Sequence, residues 1–336
     1  MSTALEGTLK MQRLVMFGLL GLLFGASLCS NSFEQGLNEL ATVEINGCKM
    51  AMLIRSENIN NPVLLYLHGG PGDSLIPFAN YATSDLIKDC TVVYWDQRGT
   101  GLSYSTDITH ESMNINQFID DTRGVTEYLK TRFKKDKIFI LGHSWGSTLG
   151  VLAVLNDPNS YYAFIGVGQV VNNQELMRCR IEWLEKVVNK TNKKDLAEIE
   201  LMKEGKKTGF YLVRDHGGFI HNISFKDMRL IMANSPYNLL YSNELYERGE
   251  ALSQSITDEA KSIDLLKSAI DIKIPVYFFL GKYDYTTPTE PVEKYYGKLN
   301  VPSKKLIWFN NSGHHMDIEE PSKFQDEIKK ILLQPR

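Results

Sequence analysis

The sequence predicts an α/β protein: a mostly parallel, doubly wound, eight-stranded sheet with an inserted helical cap. Three observations predict it. Continuous apolar, β-branched runs recur along the chain, the mark of strands buried on both faces. Helical periodicity fills several of the intervals between them. One polar stretch of about 100 residues breaks the alternation and is too long for an ordinary crossover.

In chain order, the apolar stretches 41–45 and 50–54 flank Asn46-Gly47 and read as a β-hairpin, since Asn-Gly supplies the positive φ of a two-residue turn. Val63–Leu67 (VLLYL) is the first buried strand, after Asn61-Pro62. Thr91–Trp95 (TVVYW), 137–141 (KIFIL), 162–168 (YAFIGVG), 274–280 (IPVYFFL) and Lys304–Phe309 (KKLIWF) share its character. Phe118, Val125, Tyr128 and Leu129 fall on one face of a helix over 115–132, and 319–333 reads as a final amphipathic helix. From 172 to 270 the chain turns polar, Lys/Glu-rich and helical, then resumes sheet patterning at once. The expected organisation is a core in two parts, 36–171 and 271–336, around a helical cap over 172–270.

The chain has 336 residues, of which 43% are hydrophobic and 23% charged. A chain of this length buries most of the surface it exposes when unfolded, which excludes disorder and a disulfide-stapled miniprotein. Lys plus Arg number 37 against 40 for Asp plus Glu, a formal charge of −3, so no basic surplus drives nucleic-acid binding. Cys29, Cys48, Cys90 and Cys179 form no Cys-x-x-Cys pair, and the body of the chain carries an odd number of them. They read as small buried hydrophobes.

Residues 1–35 stand apart from the fold. Lys10 and Arg13 precede the uncharged run LVMFGLLGLLFGASL over 14–28. That run is short for a membrane span, which needs about 20 residues. It suits the apolar region of a secretory signal, with Gly25, Ala26 and Ser27 near its end. A cleaved signal peptide, a retained membrane anchor and a mis-assigned start ahead of a cytoplasmic enzyme are the readings. Export or membrane association through this segment is the main expectation, with a cytoplasmic location as the alternative.

The chemistry concentrates in Gly142-His143-Ser144-Trp145-Gly146, between a predicted buried strand and a predicted helix. This is a Gly-x-Ser-x-Gly elbow, whose turn is so tight that a Cβ at either glycine collides with the neighbouring chain. Ser144 is the candidate nucleophile. A serine hydroxyl needs a base, and the base an orienting carboxylate, in the order Ser, acid, His. His314 and His315 are late in the chain, after the last predicted strand; His314, directly behind Gly313, is preferred over His315. Asp284, just past the strand 274–280, is the candidate acid. A tetrahedral intermediate needs backbone N–H donors already aimed at its oxygen. Trp145 supplies one, and the loop His68-Gly69-Gly70-Pro71-Gly72 the other, from Gly70 or, next in order, Gly69. Asp96 and Arg98, in the segment 96–103, are expected to brace the loop beneath the site.

HGGPG (68–72), DQRGTGLS (96–103), GHSWGS (142–147), GKYD (281–284) and SGH (312–314) together resemble the prolyl iminopeptidase branch of the α/β-hydrolase superfamily. The resemblance covers roughly 40–335. It implies an α/β-hydrolase fold and a Ser-Asp-His hydrolase without metal or other cofactor that removes proline, or another residue, from the N-terminus of short peptides. It also implies that cap carboxylates hold the substrate's free α-amino group; Glu175, Glu182 and Glu185 stand at the start of the cap, where the sequence departs from the family pattern. An aminopeptidase acting on small peptides is the first reading. A carboxylesterase or acyl hydrolase for small or lipid-like esters is the alternative, with Phe210, Tyr211 and Phe219 of the cap suited to an apolar substrate. A non-catalytic binding protein is disfavoured by the intact set of catalytic residue types. Ser144, where a dehalogenase or epoxide hydrolase normally carries Asp, argues against both. His216 and His221 lack neighbours at metal-binding spacing.

Overall fold

The computed structural model describes residues 36–334. The expectations for 1–35 lie outside them. Eight strands form one sheet in the order β1-β2-β4-β3-β5-β6-β7-β8. They are β1 (Leu37–Ile45), β2 (Cys48–Ser56), β3 (Val63–Leu67), β4 (Thr91–Trp95), β5 (Ile138–His143), β6 (Tyr161–Val167), β7 (Val276–Gly281) and β8 (Lys304–Phe309). β2 is antiparallel to β1 and β4, and every pair from β4 through β3 to β8 is parallel. The hairpin closes at Asn46-Gly47, with Ile45 opposite Cys48 and both turn residues at positive φ.

Thirteen α-helices accompany the sheet among the described residues. In chain order, α1 (Ala79–Ala82), α2 (Ile115–Phe133) and α3 (Trp145–Asn156) belong to the first part of the core. Then α4 (Asn173–Val187), α5 (Lys193–Lys203), α6 (Phe210–Asp215), α7 (Phe225–Ala233), α8 (Asn243–Leu252), α9 (Gln254–Ala260) and α10 (Leu265–Ser268) run between β6 and β7. α11 (Thr289–Lys298), α12 (Met316–Glu319) and α13 (Pro321–Leu332) complete the chain.

Both faces of the sheet are covered, which is why its inner strands are apolar throughout. In β3, Val63, Leu65 and Leu67 join a core with Phe118 and Leu129 of α2, Leu149 of α3 and Tyr295 of α11. Leu64 and Tyr66 point the other way, into a core with Ala79 of α1 and Phe324 and Ile328 of α13. The insertion between β6 and β7 has a small core of its own, built from Leu184, Val188, Ile199, Met202, Leu212 and Val213. It leaves and returns through one neck, where Asn172 and Asp264 form an antiparallel bridge and Leu265 N–H donates to Val171 O at 3.0 Å. Cys48, Cys90 and Cys179 are free, buried thiols.

Among the element boundaries that differ from the sequence reading, two have local reasons. β7 starts at Val276 because Pro275 has no N–H to give the ladder. The final helix is two: α12 ends at Glu319, Glu320 is non-helical at φ −130° and ψ 58°, and Pro321 opens α13. A residue before proline is driven out of the helical region, while proline itself suits a first helical position.

Candidate active site

The elbow sits where β5 turns into α3. Ser144 has φ 55° and ψ −122°, a conformation L-residues avoid, and its N–H donates to Val167 O at 2.9 Å on the neighbouring strand. Gly142 and Gly146 make the turn possible. A Cβ on Gly142 would run into the Gly146 carbonyl, and one on Gly146 into the carbonyls of Leu67 and His68. Ser147 Oγ donates to Ser144 O at 2.5 Å and accepts from Val170 N–H at 3.0 Å, tying the elbow to the chain after β6. His143 is buried beside His314 and His315; burial and those two rings push its pKa down to about 3, and it donates from Nε2 to His314 O at 3.0 Å.

Asp284 lies just beyond β7, and its Oδ2 is 2.8 Å from Nδ1 of His314. The Thr287 hydroxyl donates to the same oxygen at 2.6 Å, and Thr287 N–H to Oδ1 at 2.7 Å. Burial by itself raises a carboxylate's pKa, but the His314 and Thr287 interactions outweigh it and hold Asp284 below the usual range. An imidazole that donates its Nδ1–H in a hydrogen bond to a fixed carboxylate keeps Nε2 unprotonated and free to accept a proton. His315 faces a different acid: its Nδ1 is 3.5 Å from Asp317 Oδ1. Of the two histidines, the structure brings His314 to Asp284.

Ser144, His314, Gly69 and Gly70 line one cavity of about 560 Å³. A Cβ on Gly69 would stand 3.1 Å from the Ser144 Cβ, so the glycine loop passes directly over the elbow. Trp145 is the first residue of α3, where backbone N–H groups have no intrahelical acceptor. Gln97 joins the pieces: its Nε2 donates to His68 O at 3.0 Å, and its Oε1 accepts from Trp145 Nε1 at 3.0 Å. Of the two residues expected to brace this region, Arg98 forms a two-pronged pair with Asp121 at 2.7 and 2.9 Å. Asp96 accepts from Ser74 Oγ, Leu102 N–H and Tyr241 OH.

The insertion adds Arg180, Phe210, Phe219, Tyr246 and Glu250 to the cavity wall. Phe219 packs its ring 5.8 Å from that of His314, and its carbonyl accepts the His314 N–H at 2.7 Å. Buried Glu319 holds this junction, accepting from His221 N–H at 2.5 Å, Asn222 N–H at 2.7 Å and Gly313 N–H at 2.7 Å.

Glu175, Glu182 and Glu185 require a correction, because none of the three lines the cavity. Glu175 pairs with Lys294 at 2.8 Å, Glu182 with Arg178 at 2.8 Å and Glu185 with Lys203 at 2.8 Å. The spacing Glu175, Arg178, Glu182 is the i,i+3 and i,i+4 pattern of a charged helix surface, a signal visible in the sequence. The carboxylates at the cavity are Glu250, packed against Gly72, and Asp73. No local motif marks Glu250 or Glu319, and Gln97, though it lies in the segment 96–103, meets His68 and Trp145 only through tertiary contact. His216 pairs with Asp195 at 2.9 Å, and His221 stacks on Tyr283.

Sheet order, elbow and helical insertion define a serine hydrolase of the α/β-hydrolase fold. The family model described as serine aminopeptidase, S33, matches residues 62–321, and the chain belongs to that family. It is 32% identical over 300 residues to the probable aminopeptidase YbaC of Bacillus subtilis, covering 86% of this chain and 94% of that one. It is 24% identical over 299 residues to a proline iminopeptidase of Heyndrickxia coagulans, covering 86% and 97%. The crystal structure of a proline iminopeptidase from Mycobacterium smegmatis superposes with a TM-score of 0.65 at 15% identity, covering 88% of this chain and 97% of that one. The enzyme is thus a serine hydrolase of that family, similar in sequence to proline iminopeptidases. No helix among the described residues is long and apolar enough to cross a membrane.

Proposed function

We propose that the protein is an aminopeptidase that releases N-terminal residues, proline foremost, from short peptides with a Ser144-His314-Asp284 triad. The observation that carries this reading is the His314–Asp284 pair at 2.8 Å beside a cavity that Ser144 also lines. His314 takes the Ser144 proton at Nε2 as Oγ attacks the scissile carbonyl. The N–H groups of Gly70 and Trp145 bind the resulting alkoxide. The C–N bond breaks as His314 returns the proton to the leaving amine. Water, deprotonated by the same imidazole, then releases the acyl residue and regenerates Ser144.

The helices over 172–270 serve as a cap, with 36–171 and 271–336 as the two parts of the core. Support comes from the single neck at Asn172 and Asp264 and from the cap residues on the cavity wall. A covered cavity admits a chain end and excludes a folded protein. Glu250 and Asp73 are the carboxylates placed to receive a terminal ammonium, and Phe210 and Phe219 offer an apolar wall to a pyrrolidine ring. The apolar run at 14–28, behind Lys10 and Arg13, serves in export or anchoring, which mass spectrometry of the mature N-terminus tests.

Arylamides of proline, alanine and N-acetylproline, with short acyl esters alongside, test the reading. Prolyl arylamide is expected to have the highest kcat/KM, and acetylation of its amine to lower it about 100-fold or more, the scale of a lost buried ion pair. Asp284→Asn is expected to lower kcat by about 10⁴. Equal rates on the acetylated compound would replace this reading with the esterase one, which the aromatic cavity wall also suits.

A further inference from the structure

We infer that Arg180 is an anion subsite on the leaving-group side of the cavity, pairing with a carboxylate of the departing peptide fragment. The inference rests on the aminopeptidase reading and adds to it a class of substrate: short peptides with a carboxylate close beyond the scissile bond.

Arg180 lies on α4, is 8% exposed and lines the cavity that holds Ser144. Its guanidinium has five N–H donors. Three are engaged, all by neutral carbonyls: Nε to Thr286 O at 3.0 Å, Nη2 to the same oxygen, and Nη1 to Thr208 O at 3.2 Å. Among the described residues no carboxylate lies within ion-pair distance of it. Burial pushes its pKa down to about 10, and the field of Asp284 works against that shift, so the group stays charged at neutral pH. Contacts to two carbonyls need donors but not a charge. Asp284, whose field reaches it, is already bonded to His314; a buried charge with no counter-ion in contact is unfavourable, and a substrate anion relieves it. One N–H remains on each terminal nitrogen, the forked arrangement that matches a carboxylate. The other cation on the wall, Lys261, is already paired with Asp258 at 2.6 Å.

Position gives the charge its meaning. The anchor Thr286 stands two residues beyond Asp284, on the loop that orients His314. His314 delivers its proton to the departing amine, and Arg180 lines the same cavity as His314 and Ser144, within reach of the fragment that leaves in this proposal. Glu250 packs against Gly72, on the glycine loop instead. The cavity therefore carries a negative group on one wall and a positive group on another, the polarity of a small zwitterionic peptide. Its volume of about 560 Å³ suits such a molecule.

Steady-state kinetics on wild type, Arg180→Gln and Arg180→Lys tests the subsite with prolyl-alanine, prolyl-alaninamide and prolyl-glutamic α-amide. Wild type is expected to favour prolyl-alanine over its amide by about 10–100-fold in kcat/KM, the scale of one charge-assisted pair. Arg180→Gln is expected to bring that ratio to within about threefold of one, and Arg180→Lys to keep part of it. Recovery of activity with prolyl-glutamic α-amide identifies a side chain as an acceptable source of the carboxylate; its absence identifies the chain terminus. Equal rates on prolyl-alanine and its amide overturn the inference. So does an Arg180→Gln variant that slows both substrates by one factor, the signature of a purely structural arginine. Prolyl arylamide has no carboxylate and reports the aminopeptidase reading alone. Its turnover beside a flat peptide ratio removes the subsite and leaves the aminopeptidase; its failure to react removes both.

Discussion

Asp96 is buried among three donors, none of them a cation: Ser74 Oγ at 2.5 Å, Tyr241 OH at 2.7 Å and Leu102 N–H at 2.8 Å. Burial raises its pKa to about 6 although all three bonds favour the charged form. In the unfolded chain an aspartate titrates near 3.9. Between about pH 4 and 6 the folded protein keeps a proton that the unfolded chain has released, so stability falls as pH rises through that window. The loss is about 2–3 kcal/mol, complete above pH 6. Urea unfolding of wild type and Asp96→Asn from pH 4 to 7 isolates it: the difference between the two proteins is expected to shift against wild type by that amount, and parallel curves would refute the assignment. Asp96 and Arg98 were legible as braces, since a motif places both in one short segment. Their partners were not legible. Asp121 and Tyr241 meet them through tertiary contact, and nothing local in the sequence identifies a partner at that distance. Ser144 was legible for the opposite reason, because strand, glycine, serine, glycine and helix are contiguous.

At the scale of the element, the inner strands announced themselves because both faces of the sheet are covered and nearly all their positions are apolar. Val63–Leu67, Thr91–Trp95 and Lys304–Phe309 keep the boundaries read from sequence. β5 runs on to His143, since Gly142 and His143 still pair with Gly166 and Val167 of β6. Composition alone does not distinguish such pairing from a loop. The elbow shows how tightly one element constrains the next. Gly146→Ala places a methyl against the backbone of Leu67 and His68, which no rotamer change relieves. The expected cost is about 1–3 kcal/mol by urea unfolding, with a loss of activity as the glycine loop moves off Ser144. A variant as stable and active as wild type would contradict this geometry. On α4 the difficulty was one of facing: Glu175 and Glu182 were legible as helix residues, but the cavity side belongs to Arg180.

For the molecule as a whole, the sheet and the insertion differ in how much they bury. α7 has no buried residue, and Leu239 nearby is 95% exposed, whereas β3, β4 and β5 are buried at every position. Local opening is easiest where few apolar contacts are lost. Limited proteolysis with chymotrypsin is expected to cut first between 225 and 245, leaving 36–171 whole, as mass spectrometry of the fragments reads directly. First cuts within the sheet would contradict that ordering. The alternation of buried strands and amphipathic helices made the architecture readable from the chain, while the placement of the insertion over the site depends on contacts such as Glu319 with Gly313, His221 and Asn222.

The bridge between Asn172 and Asp264 has a consequence for how such enzymes diversify. Because the excursion begins and ends at one doorway, it is a cassette: a foreign helical segment grafted at those two positions can inherit the hydrolytic machinery intact while bringing its own choice of what to admit.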